Sequence, residues 1–143
     1  MSILLRVFSN GDYLQARTLW EATPGVGLSA ADEPEAIGAF LARNPGSSFV
    51  AVEGEKLVGT ILCGHDGRRG LIHHLVTAPS HRRQGIGRAL LQAGLQALRE
   101  QGIDKSHLLV FRSNTEGLAF WHAVSAQERT ELALFSVSTQ DGA

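Results

Sequence analysis

The chain of 143 residues carries 13 lysines and arginines against 14 aspartates and glutamates, with 43% hydrophobic and 19% charged residues and a net charge of −1. That length can bury one full core and that composition excludes a disordered chain, while the near-neutral charge argues against nucleic acid or an anionic membrane as partner. Cys63 is the single cysteine, which excludes an internal disulfide.

In chain order, residues 3–8 read as a strand, and Ser9-Asn10-Gly11-Asp12 as a turn and cap. Residues 13–21 fit a helix that turns Leu14, Ala16, Leu19 and Trp20 inward, ended by Thr23-Pro24-Gly25-Val26-Gly27. Ser29 or Asp32 can cap a second helix over residues 33–43, with Pro34 in its first turn and Ile37, Phe40 and Leu41 apolar. Residues 48–52 and 57–63 are strands joined by the hairpin turn Glu53-Gly54-Glu55-Lys56. A further turn holds Arg68 and Arg69, a solvated pair by default, and leads to an apolar strand over residues 71–77, which Pro79 ends. Ile86, Leu90, Ala93 and Ala97, with Leu91, Leu95 and Leu98, form adjoining stripes at steps of three and four, so a long helix starts at residue 86. A strand over 107–111, a short helix over 114–123 and a final strand region over 128–137 complete the chain. Strands first adjoin in hairpins and then alternate with helices. The expected fold is α/β, a mixed central β-sheet with helices on both faces, in a single domain of residues 1–143.

The stretch from the central strand into the long helix carries the chemistry. His81-Arg82-Arg83-Gln84-Gly85-Ile86-Gly87-Arg88 places two glycines and three arginines where a helix begins. The first helical N–H groups have no intrahelical partner and carry the positive end of the dipole, so such a loop suits an anion. A packing turn with solvated arginines is the plain alternative, and the spacing matches neither a phosphate loop nor a dinucleotide fingerprint.

Arg82-x-x-Gly85-x-Gly87 after a strand resembles the acetyl-CoA signature of the GNAT superfamily of N-acetyltransferases. Phe111-Arg112-Ser113-Asn114, followed by Gly117, Phe120 and Trp121, resembles that family's second motif. The resemblance covers nearly the whole chain and implies the GNAT fold, with acetyl-CoA as cosubstrate and an amine as acceptor. By resemblance, Arg82, Arg83, Gln84, Gly85, Ile86, Gly87 and Arg88 hold the pyrophosphate. Leu75, Val76 and Thr77 offer backbone groups to the pantetheine arm and an oxyanion donor, and Asn114 and Trp121 complete the cofactor contacts. Asn114 is equally a helix cap.

Transfer to an amine also needs a base. His73 and His74 adjoin on the central strand and are expected on opposite faces, His73 sharing its face with Leu75 and Thr77. An imidazole suits this work near neutral pH, and the resemblance implies a histidine or glutamate at the position of His73. Both histidines are equally readable as satisfied strand residues. Glu33, with Glu35, is the alternative acid–base group or a holder of a cationic acceptor, and Asp32 reads as a cap. The family's leaving-group tyrosine position holds Trp121, which cannot donate a proton as an acid, and Val124-Ser125-Ala126 also departs from the pattern. These departures motivate a rival reading, an acyl-CoA-binding sensor or interaction module without turnover. An RNA-binding reading of the arginines is disfavoured by the charge balance. His65, His81, His107 and His122 lack cluster spacing, so no metal is expected. No apolar run spans a bilayer and the start lacks a leader pattern, so no membrane partner and a cytoplasmic location are expected. A homodimer is implied by the resemblance alone.

Overall fold

The computed structural model describes residues 2–140; residue 1 and residues 141–143, the ends of the expected domain, lie outside it. Five strands, β1 (Leu4–Val7), β2 (Phe49–Glu53), β3 (Lys56–His65), β4 (Gly70–Thr77) and β5 (Ser106–Leu108), form one sheet in the order β1-β2-β3-β4-β5. The first three pairings are antiparallel and β4 pairs β5 in parallel. The helices are α1 (Tyr13–Ala22), α2 (Pro34–Arg43), α3 (Ile86–Glu100) and α4 (Thr115–Ala123), with short 3-10 turns at Asn10–Asp12, Ala30–Asp32 and Pro79–His81. No helix among the described residues is long and apolar enough to cross a membrane.

Alternation along the strands divides the core in two. Ala51, Val58 and Cys63 face α3, where they meet Ile86, Leu90, Leu91 and Leu98. Val50, Val52 and Leu62 belong to the opposite cluster, with Trp20 and Ala16 of α1 and Ile37 of α2. Covered on both faces, β3 is buried at eight consecutive positions, as a central strand should be. The expected mixed sheet with helices on both faces is the fold observed.

Two strand expectations change. The strand over 107–111 is shorter: only Gly70↔Ser106, Leu71↔His107 and Ile72↔Leu108 pair, after which β4 and β5 part. The region 128–137 forms no strand, and Leu132, Leu134, Phe135 and Val137 are 62–90% exposed. A strand needs a ladder partner, and β5 ends after three residues, so this alternating segment has no long edge to pair with.

The central strand carries the decisive irregularity. Leu62 pairs His73 while Thr60 pairs Val76, so Ile61 alone faces both His74 and Leu75. This is a β-bulge, and His74 lies in the left-handed region at φ 48. The Thr60 hydroxyl ties the bulge by donating to the His74 carbonyl at 2.7 Å, and itself accepts from Trp20 Nε1 at 2.9 Å. The bulge overturns the expected placement of the two histidines on opposite faces. Their rings meet edge to face with centroids 6.4 Å apart.

Candidate active site

Where β4 and β5 separate, a cleft of about 990 Å³ opens. One wall is β4 from Ile72 to Thr77, free of β5 from His73 onward, and the opposite wall is the chain leaving β5, Leu108 to Arg112. The start of α3, the face of α4 and residues 23–27, which pack against Phe111 and Asn114, complete its lining.

The α3 start is built to stay open. Gly85, at its N-cap, takes φ 79, a backbone region that glycine alone occupies without strain. No side chain caps this helix, and its first internal bond is Ala89 N–H to the Gly85 carbonyl. The N–H groups of Ile86, Gly87 and Arg88 therefore have no helical partner and border the cleft. The N-caps of α1 and α2 likewise make no side-chain cap, whereas at the start of α4 Asn114 Oδ1 accepts from Gly117 N–H; what sets α3 apart is the cleft and the arginines beside it. At Gly87, a Cβ would come 3.3 Å from the Phe120 ring, so glycine lets α4 approach α3 closely here.

Charge at this end is positive. Arg83 and Arg88 make no ion pair among the described residues, while Arg82 reaches Glu116 at 3.0 Å, linking the loop to α4 across the cleft. The loop itself is anchored by His81, whose Nε2 lies 3.1 Å from Glu53 Oε1 and whose Nδ1 lies 2.7 Å from Ser80 Oγ.

At the other end, His73 keeps solvent contact but stands against Phe40, edge to face at 5.9 Å. Desolvation by these surroundings, and secondarily the neighbouring His74, pull its pKa below the ordinary 6.5, against a smaller opposing pull from Asp32. His74 is held on three sides. Its ring packs on Trp20 at a centroid distance of 4.6 Å, its Nε2 lies 2.7 Å from Asp32 Oδ1, and its carbonyl is tied to Thr60. Asp32 does not cap α2, whose N-cap is Glu33 without a side-chain cap; instead its Oδ2 accepts from Ser29 N–H at 2.9 Å and closes the 3-10 turn before that helix.

Of the residues singled out from sequence, Leu75, Val76, Thr77, Arg82, Arg83, Gly85, Ile86, Gly87, Arg88, Asn114, Trp121 and His73 all border this one cleft. Gln84 lies exposed in the same loop without lining it, and Glu33 is exposed at the N-cap of α2, also outside the lining.

The profile of the Acetyltransferase (GNAT) family matches residues 14–124. The chain belongs to the GNAT acetyltransferase family. It is similar to Acetyltransferase plu1384 of Photorhabdus laumondii, 32% identical over 138 residues that cover 92% of each chain. It is also similar to Acetyltransferase SG1711 of Sodalis glossinidius, 29% identical over 131 residues and 91% of each chain. Among solved structures, Ard1 from Thermoplasma volcanium superposes with a TM-score of 0.76 at 22% identity, over 87% of this chain and 82% of the other. PaiA N-acetyltransferase from Thermoplasma acidophilum, in complex with coenzyme A, gives 0.72 at 22% identity, over 99% and 94%. At these identities the two structures establish the fold.

Within this GNAT chain, sequence reasoning missed the pairing of His74 with Asp32, which lie 42 positions apart. It also missed the Arg82–Glu116 bridge and the apolar wall of Leu109 and Phe111. The nearest sequence signal was Ser29-x-x-Asp32, whose capping pattern was legible but whose free second oxygen was not.

Proposed function

We propose that this GNAT enzyme transfers an acetyl group from acetyl-CoA to a primary amine of a small molecule or a peptide. The observation carrying this reading is the uncapped start of α3, with three unpartnered N–H groups beside Arg82, Arg83 and Arg88, opening into the gap between β4 and β5. These residues fit a pyrophosphate. The β4 edge from Leu75 to Thr77 lacks a strand partner and suits an amide-bearing arm laid alongside it, as in β-augmentation. Coenzyme A in the PaiA complex is consistent with this fit.

In the transfer, the neutral amine attacks the thioester carbonyl, the C–N bond forms, the C–S bond breaks, and the proton lost by nitrogen ends on the thiol of CoA. The protein orients the thioester and aims backbone N–H groups of β4 at the developing oxyanion. The proton passes through an imidazole at the bulge, where His73, neutral at pH 7, and His74 both stand. Trp121 borders the cleft where the family pattern has a tyrosine. A thiol pKa of about 8.5 lets the thiolate depart and take its proton from water. The acceptor end is bordered by Val26, Leu109, Phe111, Leu132 and Leu134. Among the described residues the one carboxylate lining the cleft, Glu116, stands at the α3 end and is engaged by Arg82, which favours an aryl or alkyl amine over a polycation. A cytoplasmic setting agrees with the buried, unpaired Cys63.

The test is thiol release from acetyl-CoA with 2-phenylethylamine, an alanyl peptide with a free N-terminus, and a lysine side-chain analogue. Release above the water rate with at least one of them, together with the N-acetylated product in the mass spectrum, supports the reading. Tight CoA binding with no amine-dependent release establishes instead a binding module without turnover.

A further inference from the structure

We propose that His74, oriented by Asp32, is the group that takes the acceptor's proton, so that the catalytic unit is a carboxylate–imidazole pair spanning the bulge and the turn before α2. The inference rests on the transfer reading above and assigns its proton.

Three observations carry it. First, Asp32 uses both oxygens: Oδ2 accepts from Ser29 N–H at 2.9 Å and Oδ1 lies 2.7 Å from His74 Nε2. A carboxylate only accepts, so Nε2 carries a proton and donates it, and in the neutral ring the lone pair is on Nδ1. Second, Nδ1 has no hydrogen-bond partner among the described residues, and no fully buried side-chain nitrogen or oxygen among them lacks one, so Nδ1 is not sealed off, and His74, its side chain 14% exposed, lines the cleft. Third, His74 holds its ring there at φ 48, a conformation disfavoured for any residue with a Cβ. Trp20 below and Thr60 behind hold that conformation in place. A histidine serving only to pack has no need of a bulge that turns it toward a cleft. Backbone strain held by surrounding structure is a mark of sites that act.

His73 also lines the cleft but lacks the other two features. It has no hydrogen-bond partner among the described residues to fix its tautomer, and desolvation and the neighbouring His74 make it a weaker base. The charged and titratable groups around His74 are Asp32 and His73, with Tyr13 and Arg17 donating to the Asp32 carbonyl at 2.7 and 3.2 Å. In the step itself, the amine nitrogen bonds to the acetyl carbon as its proton moves to Nδ1. The imidazolium so formed is stabilised by the Asp32 carboxylate. The proton then passes to the departing thiolate, directly or through water, and restores the neutral ring.

Asp32 is a positioning residue, and Asp32→Asn tests it sharply. Ser29 N–H holds the amide oxygen in place, so the new NH2 group faces Nε2 as a donor. The ring must then carry its proton on Nδ1, the wrong tautomer for accepting one from the cleft.

The experiment follows thiol release from acetyl-CoA with 2-phenylethylamine, acetyl-CoA affinity by calorimetry, and imidazole 15N shifts. Asparagine and glycine accept the left-handed backbone at residue 74, so His74→Asn and His74→Gly should fold. The expected result is a loss of kcat of about 10²- to 10⁴-fold in both, with acetyl-CoA affinity unchanged and partial rescue of His74→Gly by added imidazole. Asp32→Asn should lower kcat with little change in KM and move the 15N shifts of His74 to the other tautomer. Loss in His73→Gln with retention in both His74 variants overturns the assignment while leaving transfer intact. Failure of the native enzyme to release thiol with any amine overturns both the assignment and the transfer reading.

Discussion

The hydroxyl of Thr60 donates to the carbonyl of His74 at 2.7 Å, tying the fully buried middle of β3 to the strained residue of β4. The same hydroxyl accepts from Trp20 Nε1 at 2.9 Å. Thr60→Val keeps the shape but leaves a buried indole N–H and a strand carbonyl without their partner. Unsatisfied buried groups cost about 1–3 kcal/mol, so urea unfolding should show a loss of that size. Activity should fall further than the stability loss explains, since the bulge that sets His74 is loosened. A variant of native stability and activity would show that the bulge holds without this tie.

Gly85 has open space where a Cβ would point and needs glycine for its φ of 79 alone. Gly85→Ala should therefore destabilise by roughly 1 kcal/mol from backbone strain, without a steric clash. Thermal denaturation reads this directly. A much larger loss would mean that packing, and not conformation, restricts the position.

How much of this architecture the amino-acid order reveals depends on how local each feature is. The loop that opens α3 is legible because Arg82, Gly85 and Gly87 are neighbours whose pattern does not depend on distant contacts. The α3 stripe is legible for the same reason, since helix periodicity needs only the helix. The placement of His73 and His74 is not, because strict alternation holds only in a regular ladder. The bulge that breaks it is fixed by Thr60 and Trp20, elements apart in the chain. Asp32 reads as a cap of α2 but closes the turn before that helix, and its second oxygen finds a partner 42 positions away. At residues 128–137 the apolar alternation was real but insufficient. A strand is made by a partner edge, and β5 ends at Leu108.

Asp12 anchors the first turn: its carboxylate takes two hydrogen bonds from Arg6, each 2.8 Å, and one from Ser9 N–H. The Arg6 hydrogen bond is the main reason its pKa lies below the ordinary 3.8, partly offset by burial. Because the folded value is the lower one, the native state is favoured above about pH 3.8, and that advantage fades as pH falls through the depressed value. Arg6 is 44% exposed, so solvent screens the pair. Asp12→Asn should cost roughly 1 kcal/mol at pH 7, with the gap to native closing in acid. Stability against pH, by urea titration at each pH, checks both size and sign.

Cys63 is fully buried, and desolvation pushes its thiol up to about 12. It remains protonated and shielded at pH 8, so iodoacetamide should leave the native protein unmodified and alkylate it fully in urea. Equal rates in both conditions would mean that the α3 face of the sheet opens readily.

The cleft as a coenzyme A site is tested most directly by calorimetric titration with CoA, comparing native protein, Arg82→Glu and Glu116→Gln. Arg82 and Glu116 are 43% and 80% exposed, so breaking their pair should cost the fold little. Binding that weakens at least tenfold in Arg82→Glu and strengthens in Glu116→Gln, where Arg82 is released toward the phosphates, is the outcome expected. Equal affinity in all three proteins, or none in the native one, would mean that the start of α3 is a packing turn and that the cleft serves another ligand.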